Sequence, residues 1–574
     1  MNRQPRHFLA GPFAAILFAL LLSSHAGDVT DRGKVVIGFS HALDTGLGKE
    51  LFVVGNHPDL GSWSPANGRK LRWTSGNVWT GNVAIEAGHS LEYKFIVRTN
   101  AASSFCDPAN VVWMEGPNLA TNLPAHPSGP YVAKTVYYHS GWTNADLVFQ
   151  CGLDTNWYGR SMTRIGGGRA PGEYLYYADG IGRPGELLTF VVNGNLDGQP
   201  YWDHSPATGG DYFTSLDVFF LQDGHVHNYM PPPSATARRI ETNYIASSYT
   251  PAIPSRNIRV YLPRNYDTNT WKRYPVLYMH DGQNIFQPGG AFGCWNAEGN
   301  ADRLISLGVM RETIIVGVDN SSERLREYVA PTDNAGFGAG TADQYMRFLV
   351  HDVMPFVNST YRTITNRPDT MTLGSSLGGI VSMYLGLATN VFGRVGPMSP
   401  SFWAITNHVK NEIELGDASG LRVYMDMGTE EGSSMWSPVW SVYDLLLADG
   451  YAVNHDLRMI IGCGHEHNEA AWDSRLRYAF EFLLDARDEA NRLAQSEYPP
   501  ILTDGVQSGG AFSVRADSLK GYRYYLERAA GVSPSLWNGV ATSAVEELMW
   551  SVVTLSDASS PSTGATWYRV RAEP

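Results

Sequence analysis

Met371-Thr-Leu-Gly-Ser-Ser-Leu-Gly-Gly-Ile380 is the stretch on which the fold turns. An apolar run enters Gly374-Ser375-Ser376-Leu377-Gly378, and Ile380, Met383, Leu385 and Leu387 follow with an apolar helical pattern. Strand, sharp turn and helix in that order make a nucleophile elbow. Glycines flank the serine because the turn is strained and the helix passes close to its neighbours. The turn lifts the Ser376 hydroxyl clear of the sheet at a helix N-terminus. There the N–H of Leu377 points at a developing oxyanion.

An elbow needs a base and an acid, which follow it along the chain in this fold class as acid, then histidine. Leu421-Arg-Val-Tyr-Met-Asp-Met-Gly-Thr-Glu-Glu-Gly432 reads as a buried strand ending in a glycine-rich loop, with Glu431, Glu430 and Asp426 as candidate acids. Ile461-Gly-Cys-Gly-His-Glu-His-Asn-Glu-Ala-Ala-Trp472 reads as a loop opening a helix, with His465 and His467 as candidate bases. The imidazole takes the serine proton, and the acid orients it and stabilises its charged form. Upstream, Tyr274-Pro-Val-Leu-Tyr-Met-His-Asp-Gly-Gln-Asn284 is a buried strand breaking at His280-Asp-Gly-Gln283. The backbone N–H of Gly282 or Gln283 is the candidate second oxyanion donor.

Composition bounds the rest. A chain of 574 residues is too long for one core. The formal net charge is −13 and no basic stretch forms a nucleic-acid footprint. A negative surface also argues against an anionic membrane as partner. Residues 1–26 carry Arg3, Arg6 and His7, an apolar run from Phe8 to Leu22 and Ser-Ser-His-Ala26. That is the pattern of a secretory signal peptide, so the chain is expected to be exported, extracellular or periplasmic, with no membrane association after cleavage. Cys106, Cys151, Cys294 and Cys463 form no C-x-x-C pair, so no zinc or thioredoxin motif is present. Cys463 reads as a buried small residue. The 16 Trp and 30 Tyr beside only 17% charged residues suit an exported protein that stacks sugars on aromatic rings, although sandwich cores use the same residues.

Ahead of residue 236 the chain reads as short strands between turns. Lys34–Phe39, Glu50–Gly55, Trp79–Ile85 and Leu91–Val97 suggest an antiparallel β-sandwich over 33–124. A second β-rich unit over 131–230 is marked by Tyr137-Tyr-His-Ser-Gly-Trp142, Leu188–Val192 and Tyr201-Trp-Asp-His204. Met230-Pro-Pro-Pro-Ser234 is a stiff linker. Strand and turn patterns return over 498–574. The fold expected is therefore multidomain: two N-terminal β-sandwiches, an α/β hydrolase unit over 236–490 and a small C-terminal β domain, joined by linkers.

The motifs also carry family resemblances. Residues 238–487 resemble the esterase D and enterochelin-esterase-like group of α/β hydrolases, which includes the family 1 carbohydrate esterases. The shared pieces are His280–Phe286, Val316–Asn320 with Arg324–Tyr328 and Pro331, Gly374–Gly379, Gly428-Thr-Glu-Glu431 and His467–Trp472. The resemblance implies Ser376 as nucleophile, His467 as base with His465 the alternative, Glu431 as acid, and no metal or organic cofactor. Residues 33–124 resemble family 20 starch-binding modules through Val54-Gly-Asn-His-Pro-Asp-Leu-Gly-Ser-Trp63, Glu92–Phe95 and Trp113–Asn118. This implies a stacking pair, Trp63 and Trp113, with Lys94 and Asn118 as polar partners, while Trp79 is either structural or part of a second sugar site. Residues 131–230 are similar, more loosely, to family 25 modules, implying Trp157 and Trp202 as platforms. His204 stands where that family usually has Asn. The last unit resembles small fibronectin-like repeats. The expected partners are an α-glucan polysaccharide and an esterified small molecule or carbohydrate. Siderophore-type esterase, acyltransferase and non-catalytic starch binder remain open beside carbohydrate esterase.

Overall fold

Strands whose residues are apolar on both faces belong in the middle of a covered sheet. Val276–His280, Ile314–Val318, Thr370–Ser375 and Arg394–Met398 are buried at every position. In the computed structural model they lie side by side in parallel, together with Arg422–Gly428 and Leu457–Gly462. Helices Ala297–Ser306, Leu377–Ala388, Ser433–Ala448 and Glu469–Leu483 alternate with these strands along the chain. The antiparallel pair Arg239–Ile245 and Arg256–Leu262 closes one side of the sheet. The described residues are 34–123 apart from 89; 134–228 apart from 153–154, 168–171 and 183–184; 236–490 apart from 250–252, 271, 334–335, 337, 405 and 415–417; and 502–573 apart from 509–510, 520–522, 531–537, 544–549 and 559–565. The signal-peptide segment, the Met230–Ser234 linker and the start of the last unit at 498 lie outside them.

The other side of the sheet departs from the expectation of separate domains. The two-residue strand Ala452–Val453 pairs in parallel with Val78–Glu86, Ala452 opposite Asn82 and Val453 opposite Val83. Lys34–Ala42 then continues the sheet, so that 12 strands form one surface from the first sandwich to the hydrolase. The second layer of the sandwich, Arg69–Lys70, Lys49–Gly55, Ser90–Thr99, Val111–Trp113 and Leu119–Asn122, packs over it. Apolar side chains drive this union. Phe105 meets Trp436 and Trp440 at ring-centroid distances of 5.2 and 6.1 Å, and one core runs from Val53 and Phe95 to Trp440 and Leu457. Lys70 is buried in the seam between Glu50, at 3.0 Å, and Asp444. A disulfide between Cys106 and Cys463 crosses the same seam, so Cys463 is no inert core residue.

The second sandwich has two five-stranded sheets around Leu147, Phe190, Val192, Phe219 and Leu221. It rests on the hydrolase where Gly308, with φ at 65°, leaves room for Val226 and Leu216. The C-terminal unit is two three-stranded sheets. Its Val514, Tyr524, Leu526 and Leu555 share a cluster with Tyr137, Leu175 and Phe220 of the second sandwich, so it caps that sandwich.

Candidate active site

Ser376 sits at φ 58°, ψ −121°, between the strand Thr370–Ser375 and the helix Leu377–Ala388. A non-glycine residue with positive φ is costly and persists where its surroundings over-determine it. Those surroundings are explicit. The Ser376 N–H donates to Met398 O at 3.0 Å, and Ser401 N–H donates to Ser376 O at 3.1 Å. A Cβ on Gly374 would lie 2.7 Å from Gly378 O, and one on Gly379 would lie 3.0 Å from Met398 O. The Leu377 N–H opens the helix and has no intrahelical acceptor. The Ser376 Oγ lies 3.3 Å from Ser401 Oγ.

The candidate donor loop reaches this elbow. Gly378 faces the Asp281 carboxylate at 3.3 Å and His280 Cβ at 3.4 Å, measured from its virtual Cβ. Asp281, at φ 59°, opens the short turn Gly282–Asn284. Its carboxylate holds Arg324 through a two-pronged pair of 2.6 and 2.7 Å and also accepts from Asn320 Nδ2 at 2.6 Å. Gln283 Oε1 accepts from Asn320 N–H at 3.1 Å. These bonds hold the turn, and Gly282 and Gln283 open it, where a 3-10 helix leaves its first N–H groups without an intrahelical acceptor. His280 is a brace: Nδ1 meets Tyr345 Oη at 2.8 Å and Nε2 meets Thr372 Oγ1 at 2.9 Å. Burial pushes its pKa down to about 3.

The acid loop, two strands from the elbow, and the histidine loop, three strands from it, leave the same edge of the sheet, with Gly428 level with Gly462. His467 Nδ1 lies 2.9 Å from Glu431 Oε2. The Glu431 side chain is 1% exposed and that of His467 32%. The other oxygen, Glu431 Oε1, accepts from Gly428 N–H at 2.6 Å, Ser399 Oγ at 2.7 Å and Arg475 Nη2 at 3.3 Å. The His467 ring stands edge-on to Trp472 at 5.1 Å, and Trp472 Nε1 donates to Ser399 Oγ at 2.9 Å. A carboxylate engaged by this many donors is held in one orientation.

The alternatives are placed differently. Asp426 is fully buried against Arg475 Nε at 3.2 Å and Tyr424 Oη at 3.0 Å, and burial raises its pKa. His465 Nδ1 lies 3.1 Å from Arg475 Nη1, and burial followed by that cation lowers its pKa. It therefore accepts from the guanidinium and braces the loop. Glu430 is exposed, bonded to the Thr429 hydroxyl at 3.4 Å. Arg475, Ser399 and Ser401 escape sequence reasoning. An arginine on the apolar face of the helix, between Trp472, Leu476, Ala479 and Phe480, was the one signal for Arg475. Nothing marks the serines.

In the first sandwich Trp63 and Trp113 stand 6.5 Å apart at 42°, with Trp113 41% exposed. Trp63 has φ 61°, a strained value that an aromatic residue adopts only under constraint, here a 2.7 Å bond from its N–H to Gly55 O. Lys94 Nζ donates to Gly116 O at 2.7 Å and Asn118 Nδ2 to Glu92 at 3.5 Å. Trp79 is a core residue whose Nε1 donates to Leu43 O at 2.9 Å. In the second sandwich Trp157 and Trp202 are exposed, 45% and 53%. They are not brought together: Trp157 precedes one edge strand, Tyr158–Ser161, and Trp202 lies on the opposite edge strand, Gln199–Asp203. Trp202 instead stacks on His204, centroids 6.3 Å apart.

Residues 254–500 match the family described as "Putative esterase", and residues 34–132 match the family described as "Starch binding domain". The chain is 27% identical over 189 residues to the uncharacterized protein YbbA of Bacillus subtilis, covering 31% of this chain and 70% of that one. An alpha-amylase of Streptomyces violaceus is 38% identical over 87 residues, 15% of this chain and 14% of the amylase. Amylase similarity falls on the starch-binding region. The chain thus spans most of the first relative and a small part of the second. Among solved structures, a ferulic acid esterase aligns with TM-score 0.35 and 18% identity, covering 43% of this chain and 99% of that chain. The chain is a multidomain protein that carries an esterase-family domain behind a starch-binding domain.

Proposed function

We propose that the protein is an exported serine carboxylic ester hydrolase, a carbohydrate esterase held on starch-like α-glucan. The observation that carries the reading is the 2.9 Å contact between His467 Nδ1 and a Glu431 carboxylate whose other oxygen is fully engaged, on the sheet edge that also bears the strained Ser376. In this reading Ser376 Oγ attacks the acyl carbon while His467 Nε2 takes its proton. Glu431 holds the imidazole by Nδ1–H and stabilises the imidazolium. The carbonyl oxygen becomes an oxyanion and accepts from Leu377 N–H and from Gly282 or Gln283 N–H, each donor contributing about 3 kcal/mol. His467 passes its proton to the leaving alcohol. Water then attacks the acyl-serine, His467 takes the water proton and returns it to Ser376, and the carboxylic acid leaves. None of these steps calls for a metal or organic cofactor.

Trp63 and Trp113 would stack glucose rings, with Lys94 and Asn118 at the rim. Trp157 and Trp202, being on opposite edges, would act as two separate contacts. Holding the enzyme on its polymer raises local substrate concentration without new contacts at the serine. Export is supported by the pattern of residues 1–26, and no helix among the described residues is long and apolar enough to cross a membrane. A panel of acetyl, feruloyl and short p-nitrophenyl esters, assayed with and without soluble starch, tests the reading. A fluorophosphonate should label the wild type and not Ser376→Ala; labelling that persists in Ser376→Ala would overturn it.

A further inference from the structure

Cys106 lies in the starch-binding domain and Cys463 lies four residues before His467, yet the two are joined, 357 residues apart in sequence and 5.9 Å apart at Cα. The loop they anchor begins at the end of the strand Leu457–Gly462, where Gly462 O accepts from Thr429 N–H at 3.0 Å and from His465 N–H at 3.2 Å. Gly462 and Gly464 flank Cys463, and Gly464 has φ 74°. Gly462 is demanded by space, since a Cβ there would lie 2.7 Å from the His465 ring and 3.0 Å from Arg475 Nη1. Past that tie Gly464, with open space where a Cβ would stand, leaves a joint with a wide choice of backbone angles. Beyond it the loop is tied by Gly464 N–H to Thr429 Oγ1 at 2.9 Å and by Glu430 N–H to His465 O at 3.0 Å.

The other end of the cross-link is rigid. Phe105, next to Cys106, is buried under Arg98, whose guanidinium lies 3.8 Å from the ring centroid. Trp436 Nε1, on the helix that follows the Glu431 loop, donates to Asn100 Oδ1 at 3.0 Å. Asn454 Nδ2 donates to Asp59 O at 3.1 Å, and the Ala452–Val453 pairing lies beside them. Hence the starch-binding domain touches the hydrolase just behind both loops of the His467–Glu431 pair.

We infer that Cys106 and Cys463 are positioning residues for the esterase: their disulfide uses the docked starch-binding domain as a fixed wall that holds the His467 loop in register with Glu431 and Ser376. The inference rests on His467 being the base. A displacement of about 1 Å at such a group costs up to about 100-fold in rate, so a glycine joint beside it is usefully stopped from outside the loop. On this account the domain serves the chemistry as well as the polymer.

The test uses the full chain and a small soluble ester that does not need the starch site. In Cys106→Ser/Cys463→Ser, kcat should fall about 5- to 50-fold with KM within about twofold, and retardation in amylopectin gels should be unchanged. Wild type treated with dithiothreitol, which leaves as its cyclic disulfide when the cross-link becomes two thiols, should lose kcat to the same extent. Reoxidation should restore it, with thiol titration following the change. The double variant should not respond to dithiothreitol, which removes Cys151 and Cys294 as the source. If the double variant does not accumulate, the reversible arm decides alone. An unchanged kcat on full reduction, or in the folded double variant, overturns the inference. His467→Ala is run alongside: activity retained there would overturn the assignment of the base itself.

Discussion

At the scale of single residues, the loop holds two histidines that sequence alone leaves as rivals, and their partners separate them. His467 faces a carboxylate, His465 faces a guanidinium. We expect His467→Ala to lower kcat/KM by about 1,000-fold or more and His465→Ala by less than about tenfold, measured on a p-nitrophenyl ester. The reverse order would reassign the base. Arg475 binds Asp426, Glu431 and His465 at once, at 3.2, 3.3 and 3.1 Å. Arg475→Met leaves a buried carboxylate without its counter-charge and should cost about 3–5 kcal/mol in urea unfolding followed by near-ultraviolet circular dichroism. His280 makes a pH prediction. Its folded pKa, about 3, lies below that of a free histidine. The unfolded chain therefore takes up a proton that the folded one refuses, and stability falls as pH drops from about 6.5 toward 3, by up to about 1.4 kcal/mol per unit. His280→Gln should be less stable at pH 7, with a gap to wild type that narrows by pH 5. Parallel pH profiles of Tm would refute this.

Individual elements owe their shape to close backbone approaches. The strand Ile314–Val318 passes so near the donor turn that a Cβ on Gly282 would lie 2.6 Å from Gly317 C and 2.7 Å from Val318 C. Gly282→Ala must push the turn away from the elbow, moving the candidate oxyanion donors while the Asp281–Arg324 pair stays available. The expected result is a fall in kcat of about 100-fold with little change in KM, because a displaced donor is missed only when charge develops. Equal losses in binding and turnover would show that the turn contacts the ground state. The strand–elbow–helix element was legible in the sequence because its glycines, its serine and its apolar run are neighbours along the chain. The donor turn was legible for the same reason. What holds that turn, Arg324 and Asn320, comes from the loop after the next strand, and only its motif, not its partner, showed in the sequence.

On the scale of the whole molecule, the starch-binding domain behaves as an extension of the hydrolase sheet. Removing residues 1–133 would bare the edge of Ala452–Val453 and expose Trp436 and Trp440, which are buried in the seam. A chain truncated before residue 134 should therefore aggregate, or unfold at least about 5 °C below the full protein by scanning calorimetry. A truncation as stable and as active as the full chain would show that the seam is dispensable. Trp63→Ala and Trp113→Ala, in the same domain, should weaken retardation in amylopectin gels and leave stability near that of wild type. Retardation in xylan but not amylopectin would reassign the polymer.

The primary structure by itself determined the elements whose signals are local. These are the elbow at Ser376, the buried parallel strands, the histidine loop opening a helix, and the turn-punctuated strands of the sandwiches. Each follows from the spacing of apolar residues and from glycines within a few positions of one another. Tertiary structure decided which histidine meets the acid, that Asp426 is a buried structural charge, that Trp157 and Trp202 stand apart, and that the first sandwich is fused to the esterase. The physical reason is distance along the chain. A two-residue strand has no periodicity to read, four cysteines leave their pairing open, and an apolar tryptophan looks the same whether it packs within its own domain or against another. Those choices are made when segments some 350 residues apart meet, where burial of Phe105 on Trp436 and Trp440 draws Cys106 and Cys463 together.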